Sequence, residues 1–293
     1  MNSLSDNMRG ALLMMGSMAA FVFNDTCMKI LLNDVPIFQA ILLRGVLTVI
    51  ALIVMSHWMG GLNFNMLRRD WALVLTRAVC EVGATYFFIT ALFHMPIANV
   101  TAILQVLPLT VTLTGALLFG EVLGWRRLLA ILIGFVGVMI IVRPGIEGFS
   151  TYSIYALIAV VFVTARDLCV RRLSSDVSSV TIALIGAVGI VIFAAIGSLD
   201  TKWVAISGHS AALLTGATLF IIGGYLFSVM TMRMGEISFI APFRYTSLIW
   251  ALLLGFLIFG EWPDAATLIG SGIVVTMGVF TFYRERAIAR IRT

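Results

Sequence analysis

Leu117-Leu118-Phe119-Gly120-Glu121 returns 140 residues later as Leu257-Ile258-Phe259-Gly260-Glu261. A second pair of segments lies at nearly the same offset: Asp25-Thr26-Cys27-Met28-Lys29 is matched, 142 residues on, by Asp167-Leu168-Cys169-Val170-Arg171. Taken singly, Gly-Glu after an apolar run is an ordinary chain stop with a solvated carboxylate. Its recurrence at corresponding places argues for an internal duplication, with one copy over residues 1–143 and the other over 144–293.

Working outward from these stretches, the chain divides into ten apolar runs, at 10–32, 36–57, 71–93, 98–119, 125–142, 151–172, 178–198, 211–232, 237–259 and 265–283. A helix needs about 20 apolar residues to span a bilayer, and an open chain in lipid can satisfy its own backbone only as a helix. The composition agrees: 61% of residues are hydrophobic and 11% charged, against roughly 25% charged in a soluble domain. Ten spans leave only short connectors, so a soluble catalytic domain has no room. The expected fold is therefore an all-α integral membrane protein of ten transmembrane helices. Because five is odd, the second copy must enter the membrane from the opposite face, which makes the halves two inverted five-helix repeats, a design in which solute sites lie near the midplane.

Arg9 followed by Ala11–Phe23 resembles a signal peptide, but the apolar run continues to Leu32 and its tail recurs in the second half, so a retained first helix is expected. Orientation follows from Lys and Arg, which cytoplasmic connectors retain. With the amino terminus inside, twelve of the 19 basic residues fall on the inner side, three (Lys29, Arg143 and Lys202) on the outer side, and four (Arg44, Arg77, Arg166 and Arg244) within the runs. Both termini are thus expected in the cytoplasm. The net charge of +5 forms no basic patch with interleaved aromatics, which argues against nucleic acid. Cys27, Cys80 and Cys169 lie in apolar runs without metal-ligand spacing, so neither a metal site nor a disulfide is expected.

These motifs resemble the drug/metabolite transporter superfamily, in its EamA-type branch of paired five-helix repeats. The residues that carry the resemblance are the two Phe-Gly-Glu run ends (Gly120, Glu121, Gly260 and Glu261), Pro108, the Ala241-Pro242-Phe243-Arg244-Tyr245 segment, and the glycines around Gly134, Gly137, Gly270 and Gly278. The resemblance implies a carrier that works by alternating access without ATP, with no cofactor and no catalytic residue. Asn24-Asp25 before Lys29, Leu43-Arg44-Gly45 and the Pro-Phe-Arg-Tyr run look most like the branches that import riboflavin or S-adenosylmethionine; other members export amino acids or drugs. The expected partners are a small-molecule solute and the bilayer, with a homodimer left open.

An ionisable group at the centre of a spanning helix costs about 2.5–3.5 kcal/mol to insert, so each such group should face a cavity or a partner. Seven are present: Asp25, Arg44, Arg77, Glu81, Arg166, Asp167 and Arg244. At 1.5 Å per residue, Asp25 and Arg44 lie ~10–12 Å below the outer surface and can pair, while Arg77, Asp167 and Arg244 share an inner layer ~8–11 Å deep. Asp25, Arg44, Arg77, Asp167, Arg244 and Tyr245 are accordingly the candidate solute-binding or gating residues. Glu81, four residues from Arg77 on the same helix face, is the first candidate for proton coupling, with Asp25 the second. Against this stand two plain structural roles: buried ion pairs that fix register, and snorkelling of Arg166 to the headgroups. His-Glu-x-x-His, Gly-x-Ser-x-Gly and filter-like loop repeats are missing from the sequence, which disfavours an embedded enzyme or a channel.

Overall fold

The structure, a computed structural model, describes residues 6–58, 61–119, 124–143, 150–174, 176–232 and 237–292. Among the described residues the chain is all helix and connector, without a strand. The first three spans are α1 (Asp6–Leu31), α2 (Ile37–Ser56) and α3 (Arg68–His94). The fourth is split into α4 (Ile97–Leu104) and α5 (Leu107–Phe119), and the fifth is α6 (Trp125–Val142). In the second half follow α7 (Thr151–Arg171), α8 (Ser179–Gly197) and α9 (Gly208–Met232). The ninth span consists of α10 (Ile237–Ile240), a 3₁₀ turn (Ala241–Tyr245) and α11 (Thr246–Phe259); α12 (Ala265–Arg292) is the tenth. Nine of these spans are long and apolar enough to cross a membrane among the described residues, and α12 carries a shorter apolar stretch over Ala265–Thr281. Trp58, Trp125, Trp203 and Trp262 lie exposed at or beyond span ends, where membrane–water interfaces place indole rings.

The sequence leads one to expect runs four and nine as continuous helices, and the structure corrects this. Both are broken, and the cause is proline. Pro108 has no N–H and its ring clashes with the carbonyl one turn earlier, so the helix stops at Leu104 and restarts at Leu107. Pro242 opens the 3₁₀ turn that separates α10 from α11. The two breaks are joined directly, since Gln105 Nε2 donates to Ser247 Oγ at 2.7 Å.

Packing runs mainly between the halves. α1 lies on α9, α3 on α7, α2 on α8, α4 on α11 and α6 on α12. The α6–α12 contact is close because two glycines meet: a Cβ on Gly270 would lie 2.5 Å from the Gly137 carbonyl oxygen and 2.6 Å from Ile141 Cγ1. The same pair is tied at its end, where Arg143 Nη2 meets Asp264 Oδ2 at 2.5 Å. Asp264 also caps α12 by accepting from the Thr267 N–H at 2.8 Å. Partial burial opposes ionisation of Asp264, but the Thr267 N–H and the Arg143 guanidinium outweigh it and hold the carboxyl below its ordinary range.

The Gly-Glu motif of the second half has a visible purpose. Gly260 adopts φ +65, which a side chain would resist, and so lets the Glu261 N–H reach back to the Gly255 carbonyl at 2.9 Å and close the helix end. Glu261 then points inward rather than into solvent. Its Oε1 holds Lys29 Nζ at 2.9 Å and its Oε2 accepts from the Ile97 N–H at 3.1 Å. Lys29 also donates to the Met95 carbonyl and stands 4.9 Å over the Phe259 ring. One carboxylate thus fastens α1, the start of α4 and the end of α11 together. Gly120 and Glu121, the matching pair in the first half, lie outside the described residues.

Candidate functional site

The intramembrane charges converge between α2, α3, α7, α8 and α9. Arg77 and Glu81 sit one helical turn apart on α3, with Arg77 Nη2 3.1 Å from Glu81 Oε2. The other oxygen of Glu81 is held by α7, through Arg166 Nη1 at 3.1 Å. Arg166 also grips its neighbour, with Nη2 3.0 Å from Asp167 Oδ1. The result is an alternating row, Arg77–Glu81–Arg166–Asp167, that crosses from one half of the chain to the other. Gly186 on α8 leaves space for it, because a Cβ there would stand 3.0 Å from Arg77 Nη1.

Beside this row Arg44 reaches in from α2. Its Nη1 contacts Asn24 Oδ1 at 3.4 Å, and Asn24 Nδ2 in turn donates to Asp25 Oδ1 at 2.9 Å. Arg44, Arg77, Glu81, Thr48 and Tyr225 all line one enclosed cavity of about 40 Å³. That is room for a few waters, whereas pockets for organic ligands run to about 300–1,000 Å³. The larger hollows lie elsewhere: about 640 Å³ between α3, α5, α6 and α7 with a mostly apolar lining, about 520 Å³ beside the 3₁₀ turn, α11 and α12, and about 420 Å³ around Leu32–Ile37, Tyr86 and His94. Size alone would pick the first of these, but none of Arg44, Arg77, Glu81, Arg166 and Asp167 lines it.

The structure rearranges the layers that helical rise predicts. Arg44 and Arg77, placed by rise in separate layers, line the same cavity. Asp25 and Arg44 do not form a direct ion pair; Asn24 stands between them. Arg244 does not join Arg77 and Asp167: among the described residues it makes no ion pair, and its side chain is exposed. Tyr245 is buried against Gly278 of α12, and its hydroxyl has no partner among the described residues. Arg166, for which snorkelling was a plain alternative, is instead the link between Glu81 and Asp167. Asn24 and Tyr225 are the additions that sequence reasoning did not single out as charge partners, although a polar amide next to an intramembrane aspartate is itself a signal.

A helical fold with two interrupted spans and a buried row of ion pairs between its halves is the setting in which a family match becomes informative. Residues 8–143 match the EamA-like transporter family. The resemblance carried by the Gly-Glu and proline motifs is thereby borne out. Among curated relatives, the S-adenosylmethionine uptake transporter of Rickettsia felis is 25% identical over 199 residues, 65% of this chain and 65% of its own length. The match therefore spans just under two-thirds of that relative. The riboflavin transporter of Vibrio cholerae is 28% identical over 222 residues, 75% of this chain and 74% of its own. The pseudopaline exporter of Pseudomonas aeruginosa is 25% identical, covering 71% and 74%. A solved crystal structure superposes with a TM-score of 0.66 at 19% identity, over 95% of this chain and 98% of that one, which establishes the shared fold.

Proposed function

We propose that the chain is a secondary, ATP-independent carrier of a small organic metabolite across a bacterial inner membrane, with no catalytic step, and that it works by alternating access. The observation that carries this is the row of ion pairs buried between the halves. Packing alone would be served by apolar residues, without the cost of inserting charge. Two features support inverted repeats over 1–143 and 144–293. The packing pairs keep their pattern when first-half spans are exchanged for their second-half counterparts: α1 on α9 becomes α7 on α3, and the other pairings named above map onto themselves. Interrupted helices also occupy corresponding positions, four and nine, as in other carriers with broken helices at the solute site. Both termini are placed in the cytoplasm on the basis of arginine distribution.

The preferred direction is uptake, and the preferred solute a vitamin or nucleoside-like cofactor of the kind named for the riboflavin and S-adenosylmethionine relatives. Export of another metabolite is the second proposal, favoured by the match to the pseudopaline exporter. Asp25, Arg44, Arg77 and Asp167 are proposed as solute-binding residues. Arg244 and Tyr245, at the break in the ninth span, are proposed as gating residues.

Glu81 is proposed as the proton-coupled group. It is faced by Arg77 on its own helix, by Arg166 and Asp167 on α7, by Arg44 on α2 and by Tyr225 on α9. Protonation would release two guanidiniums at once, which gives a proton a direct effect on solute binding. In proteoliposomes, flux by the parent should saturate with no product formed, and should depend on pH. Glu81→Gln should flatten that pH profile. A retained profile would move the role to Asp25 or Asp167, while unsaturable flux would indicate a pore.

A further inference from the structure

Arg44 has no direct ion pair among the described residues, although it is only 7% exposed. Its side-chain hydrogen bond within that set is the 3.4 Å contact with Asn24 Oδ1, beyond the usual 2.7–3.2 Å. A guanidinium carries five N–H donors in a planar fork that matches carboxylate and phosphate oxygens two at a time. Here most of that fork is unfilled, and Arg44 borders the enclosed cavity. Arg77 borders it as well, with an Nε that has no hydrogen-bond partner among the described residues. Facing these two cations in the cavity is a single carboxylate, Glu81, which is already shared with Arg166. Asp25 is held to one side by Asn24.

We infer that the solute carries an anionic group, a carboxylate or a phosphate, which docks on Arg44 with Arg77 as the second cation. This rests on the carrier proposal and narrows its solute class. The cavity of about 40 Å³ accommodates a group of that size, and the remainder of the solute enters as the halves part. Within the preferred class of cofactors this favours members that carry a carboxylate or a phosphate over neutral ones. The anion supplies a direct partner to a guanidinium that reaches Asp25 only through Asn24.

Matched probes that differ only in this group make the test: S-adenosylmethionine against decarboxylated S-adenosylmethionine for the carboxylate, and flavin mononucleotide against riboflavin for the phosphate. Thermal unfolding of the purified full-length chain in detergent reports binding, because a ligand of the folded state raises the midpoint. In at least one pair the anionic member should raise the midpoint, with an affinity at least ~10-fold above that of its partner. Which pair responds tells carboxylate from phosphate. Arg44→Gln should remove the response. Arg44→Lys, which keeps the charge but loses the fork, should retain it at roughly ten-fold lower affinity and guards against a variant that fails to fold. The inference is overturned if the neutral or decarboxylated member stabilises equally, if the response survives Arg44→Gln, or if neither pair responds. Saturable flux of riboflavin into proteoliposomes, unchanged in Arg44→Gln, would overturn it while leaving the carrier proposal standing. Unsaturable flux of the probes, as through a pore, would remove the carrier proposal itself.

Discussion

Arg166→Met should reduce transport to background and also destabilise the protein. The guanidinium is shared between Glu81 at 3.1 Å and Asp167 at 3.0 Å, so its removal leaves Asp167 without an ion pair among the described residues and Glu81 with Arg77 alone. Removing one partner from a buried ion pair costs about 3 kcal/mol or more, because the remaining charge is left without compensation. Solvent reaching Asp167, which is 33% exposed, and the remaining contact of Glu81 with Arg77 at 3.1 Å both soften that cost. The midpoint of thermal unfolding and the initial rate of uptake check the two effects separately. Adding Glu81→Gln to Arg166→Met should recover little stability, because it leaves the Arg77 guanidinium without its carboxylate, and none of the transport. Arg166→Lys should fall between, because an ammonium cannot span both carboxylates as a fork does. Uptake at the parental rate by Arg166→Met would remove the ion-pair row from the mechanism.

Gly270→Val should be nearly as damaging, by a different route. The added Cβ would meet the Gly137 carbonyl oxygen at 2.5 Å, and a backbone oxygen cannot swing aside as a side chain can. α6 and α12 would have to separate, with loss of the dispersion contacts along their length. Overpacking of this kind costs about 1–3 kcal/mol, and small residues at spanning-helix contacts exist to avoid it. A lowered melting midpoint with an unchanged solute KM in the surviving fraction is the expected pattern, since neither helix lines the charged cavity. Gly137→Val should act alike, and the double variant should cost less than the two costs added, because both strain one contact. An unchanged midpoint would mean that α6 and α12 do not rely on this approach.

Much of the fold is legible in the sequence because lipid imposes a simple rule: long apolar runs and sparse charge translate directly into spans. The recurrence of Gly-Glu at 120–121 and 260–261 is equally visible. What hydropathy hides is the interruption of runs four and nine. Hydropathy stays high on both sides of Gln105 and of Ala241–Tyr245, and Pro108 and Pro242 are what signal a break. The error in the charged layers has the same origin. A depth for Arg244 computed at 1.5 Å per residue assumes an α-helix, but a 3₁₀ turn rises about 2.0 Å per residue and rotates its side chains by 120° rather than 100°. Arg244 consequently turns out to an exposed position. Depth also says nothing about which way a helix faces. That is why the convergence of Arg44 and Arg77 on one cavity, and the clasp of Arg166 on Glu81, needed the packed structure. Glu261 shows the reverse case: its recurrence marked it as more than a chain stop, and the structure shows it binding Lys29 and the Ile97 N–H.

The account stands or falls on two halves of opposite orientation. Single cysteines at Met8, at the start of α1, and at Thr151, at the start of α7, introduced into a variant lacking Cys27, Cys80 and Cys169, can be challenged in intact cells with a membrane-impermeant thiol reagent. Thr151→Cys should react from outside in intact cells, and Met8→Cys only after the membrane is opened. Reaction of both positions from the same side would contradict the inverted arrangement and the alternating-access mechanism built on it.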